Sequence, residues 1–393
     1  MELDHETATP EYMKLPHIKF KLSLTQDTDA SLKEKLLSGI IAGNMTPYYR
    51  KVCSDLGWDL REDLIEEMSQ INEKTLNEMI EEEQASAVSI EEDVGPKLWQ
   101  DRLEYLCSIG DVLAATEFIN NKLNDPKEIF SARQKFELML RLFRLSFFDD
   151  ANLIGMRDAV KKARDIVETT TTDWTSRNRL SVYEALYLLS IRKFDEATTL
   201  LIDCLPTFEC YELLDFASVV QYTVLSSALS LSRQAQQKNN LGGSVAQVLC
   251  TSLPLLKEYV DSLYDCRYGD FMRCLGQVFE MITLDPLLHA HANYYRHEMQ
   301  LKAFAQQLTA YRSLKIDAMA QTFNMDAETL ENEIARLITA GRLPVKIDKV
   351  AGCFVRPICD QVDAEKTQMY QEAIRKGDLL LNRIKKLARI VDF

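Results

Sequence analysis

The sequence contains little glycine and proline, 13 and 10 of 393 residues respectively. Sheets built from many short strands need frequent sharp turns, which these two residues provide. An all-β sandwich or barrel is therefore disfavoured, and a helix-rich chain is favoured. The length allows two or three domains, and the hydrophobic share of 46% is that of an ordinary globular protein.

Long apolar runs are also missing, since no stretch approaches the roughly 18 residues that span a bilayer. The opening residues, MELDHETATPEYMKL, have neither the basic nor the apolar region of a secretory signal. The nine cysteines form no CxxC pair. This spacing indicates reduced thiols and a cytoplasmic and nuclear location. Cys266 and Cys274 are expected to be buried structural thiols.

The short motifs of common catalytic sites are absent as well. The sequence has no GxxxxGK[ST] phosphate loop and no GxSxG nucleophile turn. Its close histidine cluster is His289, His291 and His297, but Leu301 stands where an HExxH zinc site needs its second histidine. A structural role at a helix start is favoured for these histidines. We therefore predict no catalytic residue, no cofactor and no metal, and a hydrolase is the weakest of the functions considered.

Charge is distributed unevenly over a chain whose net charge is −14. Residues 59–93 contain 13 acidic and 2 basic side chains, whereas residues 366–393 contain 7 basic and 3 acidic ones. The bulk negative charge opposes nucleic-acid binding, because phosphate contacts dominate that affinity. The local asymmetry indicates complementary protein partners, although the acidic run Glu81–Glu83 is equally consistent with a solvated helix face.

Three segments between residues 102 and 202 resemble one another. Each has a large apolar stripe, a short turn with Gly, Asp or Phe, and a second stripe with alanines where two helices must approach closely. Their spacing is on the order of 40 residues, near that of tetratricopeptide-like (TPR-like) helical hairpins. The segments are RLEYLCSIGDVLAATEFI, LFRLSFFDDANLIGMRDAVKKARDIV and YEALYLLSIRKFDEATTLLI.

The sequence from about residue 314 to 357 has the order of a winged helix. Asp317 starts a short helix, and Asp326 is the expected N-cap of a longer one. Gly341 should end that helix in a left-handed conformation, which glycine adopts without steric cost. LPVKID and CFVRP then flank the turn KVAG and predict a two-stranded wing.

The longer helix of this winged helix is acidic, with Glu328, Glu331 and Glu333. Winged helices often bind DNA, but these carboxylates would repel phosphates, and Arg336 and Arg342 alone do not form a basic patch. The exposed wing strand instead offers unpaired backbone groups to another sheet edge. A nucleic-acid binder is therefore a less favoured alternative.

The last predicted element is a helix from Ala364 to Val391, about 40 Å long at 1.5 Å per residue. Its apolar side chains recur at alternating steps of four and three, as in a coiled coil, and Leu380 and Leu387 widen the stripe. Such a helix is too long to bury its stripe against a small winged helix, so a bundle with other chains is predicted. The repeat positions are Tyr370, Ile374, Gly377, Leu381, Ile384, Ala388 and Val391.

The segment TSRNR leaves two interpretations open. Arg177 and Arg179 could bind a carboxylate of a partner, or they could belong to an ordinary helix start after Trp174. Residue types and spacing do not decide between the two.

Several of these segments carry a resemblance to a known family. The chain resembles the PCI-domain, non-ATPase subunits of the lid of the 26S proteasome regulatory particle. The resemblance covers most of the chain from about residue 100, and IRKGDLLLNRIKKLARIVDF and ITAGRLPVKIDKV are its most specific parts. Further matching segments are DWTSRNRLSVYEALYLLSIRKFDEA, LYDCRYGDF and YYRHEMQLKAFAQQLTAYRSL. Before residue 100 the resemblance depends only on the acidic helical character of the chain and on the segment NMTPYY.

The resemblance implies a mainly α fold, in which a TPR-like helical-repeat solenoid is followed by a PCI module (a helical bundle plus winged helix) and a long C-terminal helix. The expected domains are an acidic helical arm (1–95), TPR-like repeats (96–215), a PCI domain with a winged helix at 314–357 (216–360) and a bundling helix (361–393). It also implies that wings of neighbouring subunits pair edge to edge and that C-terminal helices form a common bundle.

Two sets of partner-binding residues follow. The wing edge is assigned to Leu343, Val345, Ile347 and Val355. The helix bundle is assigned to Ile374, Leu380, Leu381, Ile384, Leu387, Ala388 and Val391. The implied partners are other PCI-domain and lid subunits, with the ATPase ring and the deubiquitinase subunit as further candidates, and neither nucleic acid nor membrane.

The implied function is a non-catalytic structural subunit that supports assembly and ATP-dependent degradation of ubiquitinated proteins. A PCI subunit of the COP9 signalosome or of a translation initiation complex is the alternative that the residues leave open.

Overall fold

The chain is mainly α-helical with one small sheet, and the predicted fold class is confirmed. The computed structural model describes residues 10–25, 29–88, 95–124, 130–150, 152–170, 173–240, 249–356 and 358–391. Two compact units are present: residues 1–261 with 274–296, and residues 262–273 with 297–393. The domain boundaries expected after residues 95, 215 and 360 stay predictions.

The first part of the chain consists of helices. They are α1 (Glu11–Thr25), α2 (Ala30–Ala42), α3 (Thr46–Leu56), α4 (Glu62–Val88), α5 (Gly95–Ile109), α6 (Val112–Asn124), α7 (Ala132–Phe148), α8 (Leu153–Thr169), α9 (Trp174–Ser190), α10 (Phe194–Cys204), α11 (Phe216–Ser230), α12 (Arg233–Asn240) and α13 (Pro254–Tyr264).

The rest of the chain adds three short strands. Its elements are α14 (Tyr268–Thr283), α15 (Ala292–Ala310), β1 (Ser313–Lys315), α16 (Ile316–Phe323), α17 (Ala327–Thr339), β2 (Lys346–Asp348), β3 (Cys353–Val355) and α18 (Ile358–Val391).

The three predicted hairpins are α5–α6, α7–α8 and α9–α10, and each reverses direction at one residue with positive φ. These residues are Gly110 (φ 77°), Asp150 (φ 51°) and Arg192 (φ 65°). At Gly110 a Cβ atom would also lie 3.0 Å from the Met45 side chain and 3.1 Å from Tyr48, so glycine serves both the turn and the close approach of α3. The predicted alanines are buried at the helix contacts: Ala115, Ala159, Ala163 and Ala197.

Local signals fix where α7 and α8 begin. Ser131 and Gln134 form a capping box at the start of α7, in which the Gln134 backbone N–H donates to Ser131 Oγ and the Ser131 backbone N–H donates to Gln134 Oε1. Asn152 Oδ1 accepts from the backbone N–H groups of Ile154 and Gly155 at the start of α8. Both helices of this hairpin therefore begin at a side-chain cap.

Helix α1, which the sequence pattern did not predict, packs onto the repeat helices through a buried lysine. The Lys19 side chain is 7% exposed, and its Nζ lies 2.6 Å from an Asp55 carboxylate oxygen on α3 and 3.0 Å from one of Asp150 at the α7–α8 corner. Leu15 of α1 packs closely on α2, because a Cβ atom at Gly39 would come within 2.7 Å of it. The lysine thus links helices that are far apart in sequence.

The unit that contains the winged helix is centred on Phe323 of α16. Its ring centroid lies 4.9 Å from that of Tyr268 and 4.8 Å from that of Phe304. Asn324 ends α16 with φ 52°, a left-handed conformation that asparagine tolerates. Gly341 has φ 70° and follows α17 as predicted. Asp326 occupies the N-cap position of α17, but its side chain makes no capping hydrogen bond.

The wing differs from the prediction, because it is a three-stranded antiparallel sheet with the order β1-β3-β2. The additional strand, β1, pairs with β3 through Leu314 opposite Phe354. On the other side β2 pairs with β3 through Ile347 opposite Phe354. The strand that contains Val355 is therefore central, and β2 lies at an edge of the sheet.

Replacing Lys19 by Met should destabilise the chain. Among the residues that the structure describes, Asp55 would be left without an ion-pair partner and Asp150 would keep only Lys51. Breaking a fully buried ion pair costs about 3–5 kcal/mol, and since both aspartates are about half exposed we expect about 1–3 kcal/mol. Thermal unfolding measures the effect, with Lys14→Met on the exposed side of α1 as control. Equal melting temperatures for the two variants would contradict this role of Lys19.

Candidate interaction surfaces

The C-terminal helix α18 exposes its apolar side chains to solvent. It begins at Ile358, earlier than predicted, and every side chain from residue 366 to 389 is exposed. The predicted bundle residues in this range are between 51% and 65% exposed for the large side chains Ile374, Leu380, Leu381, Ile384 and Leu387, and Ala388 is exposed too. The side chain of Val391, also assigned to the bundle, lies outside the described residues.

These side chains form one continuous stripe, which we call the α18 stripe: Tyr370, Ile374, Gly377, Leu380, Leu381, Ile384, Leu387 and Ala388. Successive residues of a helix are rotated by about 100°, and steps of three and four return to the same face. The additional leucines Leu380 and Leu387 widen the stripe on one side. A stripe of this width exceeds a two-stranded coiled-coil seam and suits contact with more than one neighbouring helix.

The charged side chains of α18 are mostly basic. Residues 366–389 contain seven basic side chains and two acidic ones. Within this stretch Lys376 Nζ lies 3.7 Å from Glu372 Oε2, and exposed ion pairs of this kind contribute little stability. The helix therefore combines an apolar stripe with an excess of positive charge.

The edge strand β2 directs backbone groups away from the sheet. The Arg356 N–H donates to the Arg312 carbonyl, and the Ile316 N–H donates to the Gly352 carbonyl, each at 3.0 Å. Because antiparallel hydrogen bonds alternate along a ladder, Phe354 bonds towards β1. Its other neighbour, Ile347, then faces it as a non-hydrogen-bonded pair, so the N–H and C=O of Ile347 point outwards at the edge.

The predicted wing-edge set needs one correction. Val355 lies on the central strand β3 and is paired on both sides, opposite Ser313 and Lys346, so it is not an edge residue. Leu343 and Val345 are buried just before β2, so their side chains belong to the core of this unit. Ile347 remains the member of the set with outward backbone groups.

Three cations of the winged helix pair with carboxylates of this chain. Lys349 Nζ lies 2.8 Å from Glu331, and an Arg336 guanidinium nitrogen lies 3.2 Å from Glu333. Arg342 makes two hydrogen bonds to Glu298 of α15, at 3.0 and 2.7 Å. These cations are thus already matched with carboxylates, which does not favour a phosphate-binding face.

Arg179 binds carboxylates of this chain. Its guanidinium group donates to Glu137 on α7 and, at 2.6 Å, to Glu212, which also accepts from Arg144 at 2.7 Å and from the Tyr183 hydroxyl at 2.8 Å. Burial disfavours the charged form of Glu212, but Arg144 and Arg179 outweigh it and lower the pKa of this carboxyl. Arg179 therefore stabilises the repeat helices, whereas Arg177 is exposed.

Helix α4 carries the predicted acidic face. The side chains of Glu62, Asp63, Glu66, Glu67, Glu73, Glu78, Glu81 and Glu82 are exposed. Glu83 instead packs inwards and pairs with Arg102 at 3.2 Å and with Lys122 at 3.6 Å. The acidic run at 81–83 is therefore divided between solvent and an internal ion pair.

The histidine cluster has structural partners. His289 Nδ1 donates to the Thr283 carbonyl at 2.6 Å, His291 Nε2 donates to the Ser190 carbonyl at 2.8 Å, and His297 is exposed. Among the residues that the structure describes, no group of three or more His, Cys, Asp or Glu side chains is arranged to hold a metal ion. Of the two cysteines singled out above, Cys274 is buried and Cys266 is half-buried.

Comparison with known proteins first defines the class. A PCI-domain family model matches residues 276–357, which include the winged helix. A model described as 26S proteasome subunit RPN7 matches residues 61–239, and one described as 26S proteasome regulatory subunit RPN7/PSMD6 C-terminal helix matches residues 369–391. The last match coincides with the α18 stripe.

Full-length relatives define the family. The chain is 32% identical to the 26S proteasome non-ATPase regulatory subunit 6 homolog of Arabidopsis thaliana, over 92% of this chain and 91% of the relative. It is 30% identical to that subunit of Caenorhabditis elegans, over 97% and 93%, and 26% identical to regulatory subunit RPN7 of Saccharomyces cerevisiae, over 94% and 90%. The chain belongs to the family of 26S proteasome non-ATPase regulatory subunit 6, or RPN7.

Replacing Glu212 by Gln should destabilise the repeat helices by about 2–3 kcal/mol, because Arg144 and Arg179 would keep partly buried charges without their shared carboxylate. The pKa of Glu212 is lowered in the folded chain, so its stabilisation is complete above about pH 4.3, the pKa of an unfolded glutamate. It is lost as the pH falls through the lower folded value.

Thermal unfolding at several pH values tests this. The difference in melting temperature between the wild type and Glu212→Gln should be full at pH 7 and should shrink in acid. The exposed Glu209→Gln variant is the matched control and should melt as the wild type does. A difference that does not depend on pH would contradict the ion-pair explanation.

Proposed function

We propose that this chain is a non-catalytic, structural subunit of the 26S proteasome lid and supports ATP-dependent degradation of ubiquitinated proteins. The observation that carries the proposal is the α18 stripe, which the chain leaves exposed along the part that matches the family's C-terminal helix. Large apolar patches on a protein surface mark sites of protein–protein contact. The family membership favours the proteasome over the COP9 signalosome or a translation initiation complex.

The α18 stripe acts as one side of a helix bundle. Burying a large aliphatic side chain contributes about 1.5–3 kcal/mol, and five such side chains are exposed on α18. Since these side chains are a little over half exposed, their burial contributes on the order of several kcal/mol against the entropy lost when chains associate. The subunit then holds its place in the lid by packing α18 against helices of other lid subunits.

The edge strand β2 provides a second contact. Ile347 presents an outward N–H and C=O, as derived from the register above, and an edge strand with free backbone groups can pair with a strand of another sheet. We propose that the wing of another PCI-domain subunit pairs here. The ATPase ring and the deubiquitinase subunit are further proposed partners.

The proposed role is structural because the relatives are named regulatory, non-ATPase subunits. The proposed location is cytoplasmic and nuclear, which the free thiols of the eight described cysteines support. In the part of the chain that the structure describes, no helix has both the length and the apolar character to cross a membrane.

Replacing Leu381 and Ile384 by Asp should release the chain from its complex. Two apolar contacts are lost and two charges would have to be buried, so association should weaken by at least about a hundredfold. The measurement is the amount of other proteasome subunits that co-purify with the tagged chain. The control, Gln368→Asp with Asn382→Asp, adds the same charge on the opposite face of α18 and should co-purify normally. Full co-purification of the stripe variant would refute bundling.

Replacing Ile347 by Pro should weaken wing pairing by about 0.5–1.5 kcal/mol, the net contribution of one hydrogen bond, because proline removes the outward donor of β2. Ile347→Ala keeps the N–H and separates the loss of the donor from the loss of the side chain. Both variants should be compared with the wild type by co-purification in increasing urea. If Pro and Ala behave alike, the backbone of β2 does not pair with a partner.

A further inference from the structure

One member of the α18 stripe, Gly377, has no side chain. Glycine is the poorest helix former after proline, yet it stands within α18. A Cβ atom at this position would meet no atom within 4 Å, and Gly377 is not among the glycines with positive φ. Neither the backbone conformation nor the packing described for this chain therefore requires glycine here.

Gly377 lies on the face of α18 that a partner helix would contact. On a helix, residues three and four positions apart are neighbours on one face. Gly377 is therefore bordered by Ile374 on one side and by Leu380 and Leu381 on the other, all exposed. The result is a notch in the middle of the stripe, open to solvent and walled by aliphatic side chains.

The margin of the stripe beside Leu380 and Leu387 has a net positive charge, because two cations lie there against one carboxylate, that of Glu372, which pairs with Lys376. Lys376 and Arg383 lie there, seven residues and hence two helical turns apart, and both are exposed. On the opposite margin Asp378 and Lys385 carry opposite charges. The two margins of the α18 stripe are therefore electrostatically different, which lets a bundle distinguish the neighbours on its two sides.

We propose that the helix that packs on the α18 stripe places a large apolar side chain into the Gly377 notch and carries carboxylates along the margin of Lys376 and Arg383. The proposal rests on the proposed function, since it concerns the same bundle. A knob that fills the notch fixes the axial register of the two helices, and the ion pairs select which neighbour takes this side.

Filling the Gly377 notch tests whether the partner helix places a large apolar side chain there. The variant Gly377→Leu is a better helix former than the wild type, so a loss of assembly cannot be due to a weaker helix. The control Asn382→Leu adds the same side chain on the opposite face. Each tagged full-length variant is expressed beside the untagged wild type, and native mass spectrometry measures the fraction in the complex. Gly377→Leu should be incorporated at least about tenfold less, and Asn382→Leu within about twofold of the wild type.

Reversing the charges of Lys376 and Arg383 tests whether the partner helix carries carboxylates along that margin. Lys376→Glu with Arg383→Glu changes the charge by the same amount as Arg375→Glu with Lys386→Glu, which lie on the opposite face. The first pair should lower incorporation by at least about tenfold, and the second should leave it within about twofold. Equal incorporation of the two double variants would overturn the proposed carboxylates of the partner helix.

The outcomes separate this inference from the proposed function. If the tagged wild type brings down no proteasome subunits, the proposed function itself fails. If the wild type assembles and Leu381→Asp with Ile384→Asp does not, the bundle stands. Normal incorporation of Gly377→Leu in that case overturns the notch alone.

Discussion

The apolar stripe of α18 is the feature on which the functional account depends. A helix of 34 residues is about 51 Å long, and all of its described side chains from residue 366 onwards are exposed. Helices in proteins gain most of their stability from packing an apolar face against other elements. The α18 stripe is therefore the surface through which we propose contact with other subunits, and the excess of positive charge on α18 limits which surfaces are suitable.

Helices α1 to α9 show the opposite arrangement at two internal clusters, where charged groups are paired within the chain. Lys19 is buried between Asp55 and Asp150, and Glu212 accepts from Arg144 and Arg179. Such internal pairs hold helices in defined positions because breaking one leaves a poorly solvated charge. The molecule thus combines helices whose polar groups are matched internally with a wing edge and an α18 stripe whose groups are not.

Strong periodicity explains what could be predicted. The hairpins and α18 repeat their apolar residues over many turns, and the left-handed Gly341 follows from glycine chemistry. Strand β1 is not predictable from the sequence, because three residues are too few to show the apolar–polar alternation of a strand. The prediction of Val355 at the wing edge is wrong because a strand's place within a sheet depends on its partners, and β1 covers the other side of β3.

The contacts of Arg179 and of helix α1 could not be predicted, because they depend on residues far away in the sequence. Whether Arg179 binds its own chain depends on Glu212, which is 33 residues away and joins it only once the hairpins stack. Helix α1 has a weak apolar pattern and Pro16 in its interior, so its docking through Lys19 is decided by tertiary contacts. Local sequence carries little information about either contact.

The central claim is that this chain works by presenting surfaces that other subunits complete. Native mass spectrometry of the protein isolated from its own cells tests this most directly. The account predicts an assembly far heavier than the 45.1 kDa chain, composed of many different subunits and including the proteasome's ATPases. A single species at the mass of the chain alone would contradict it.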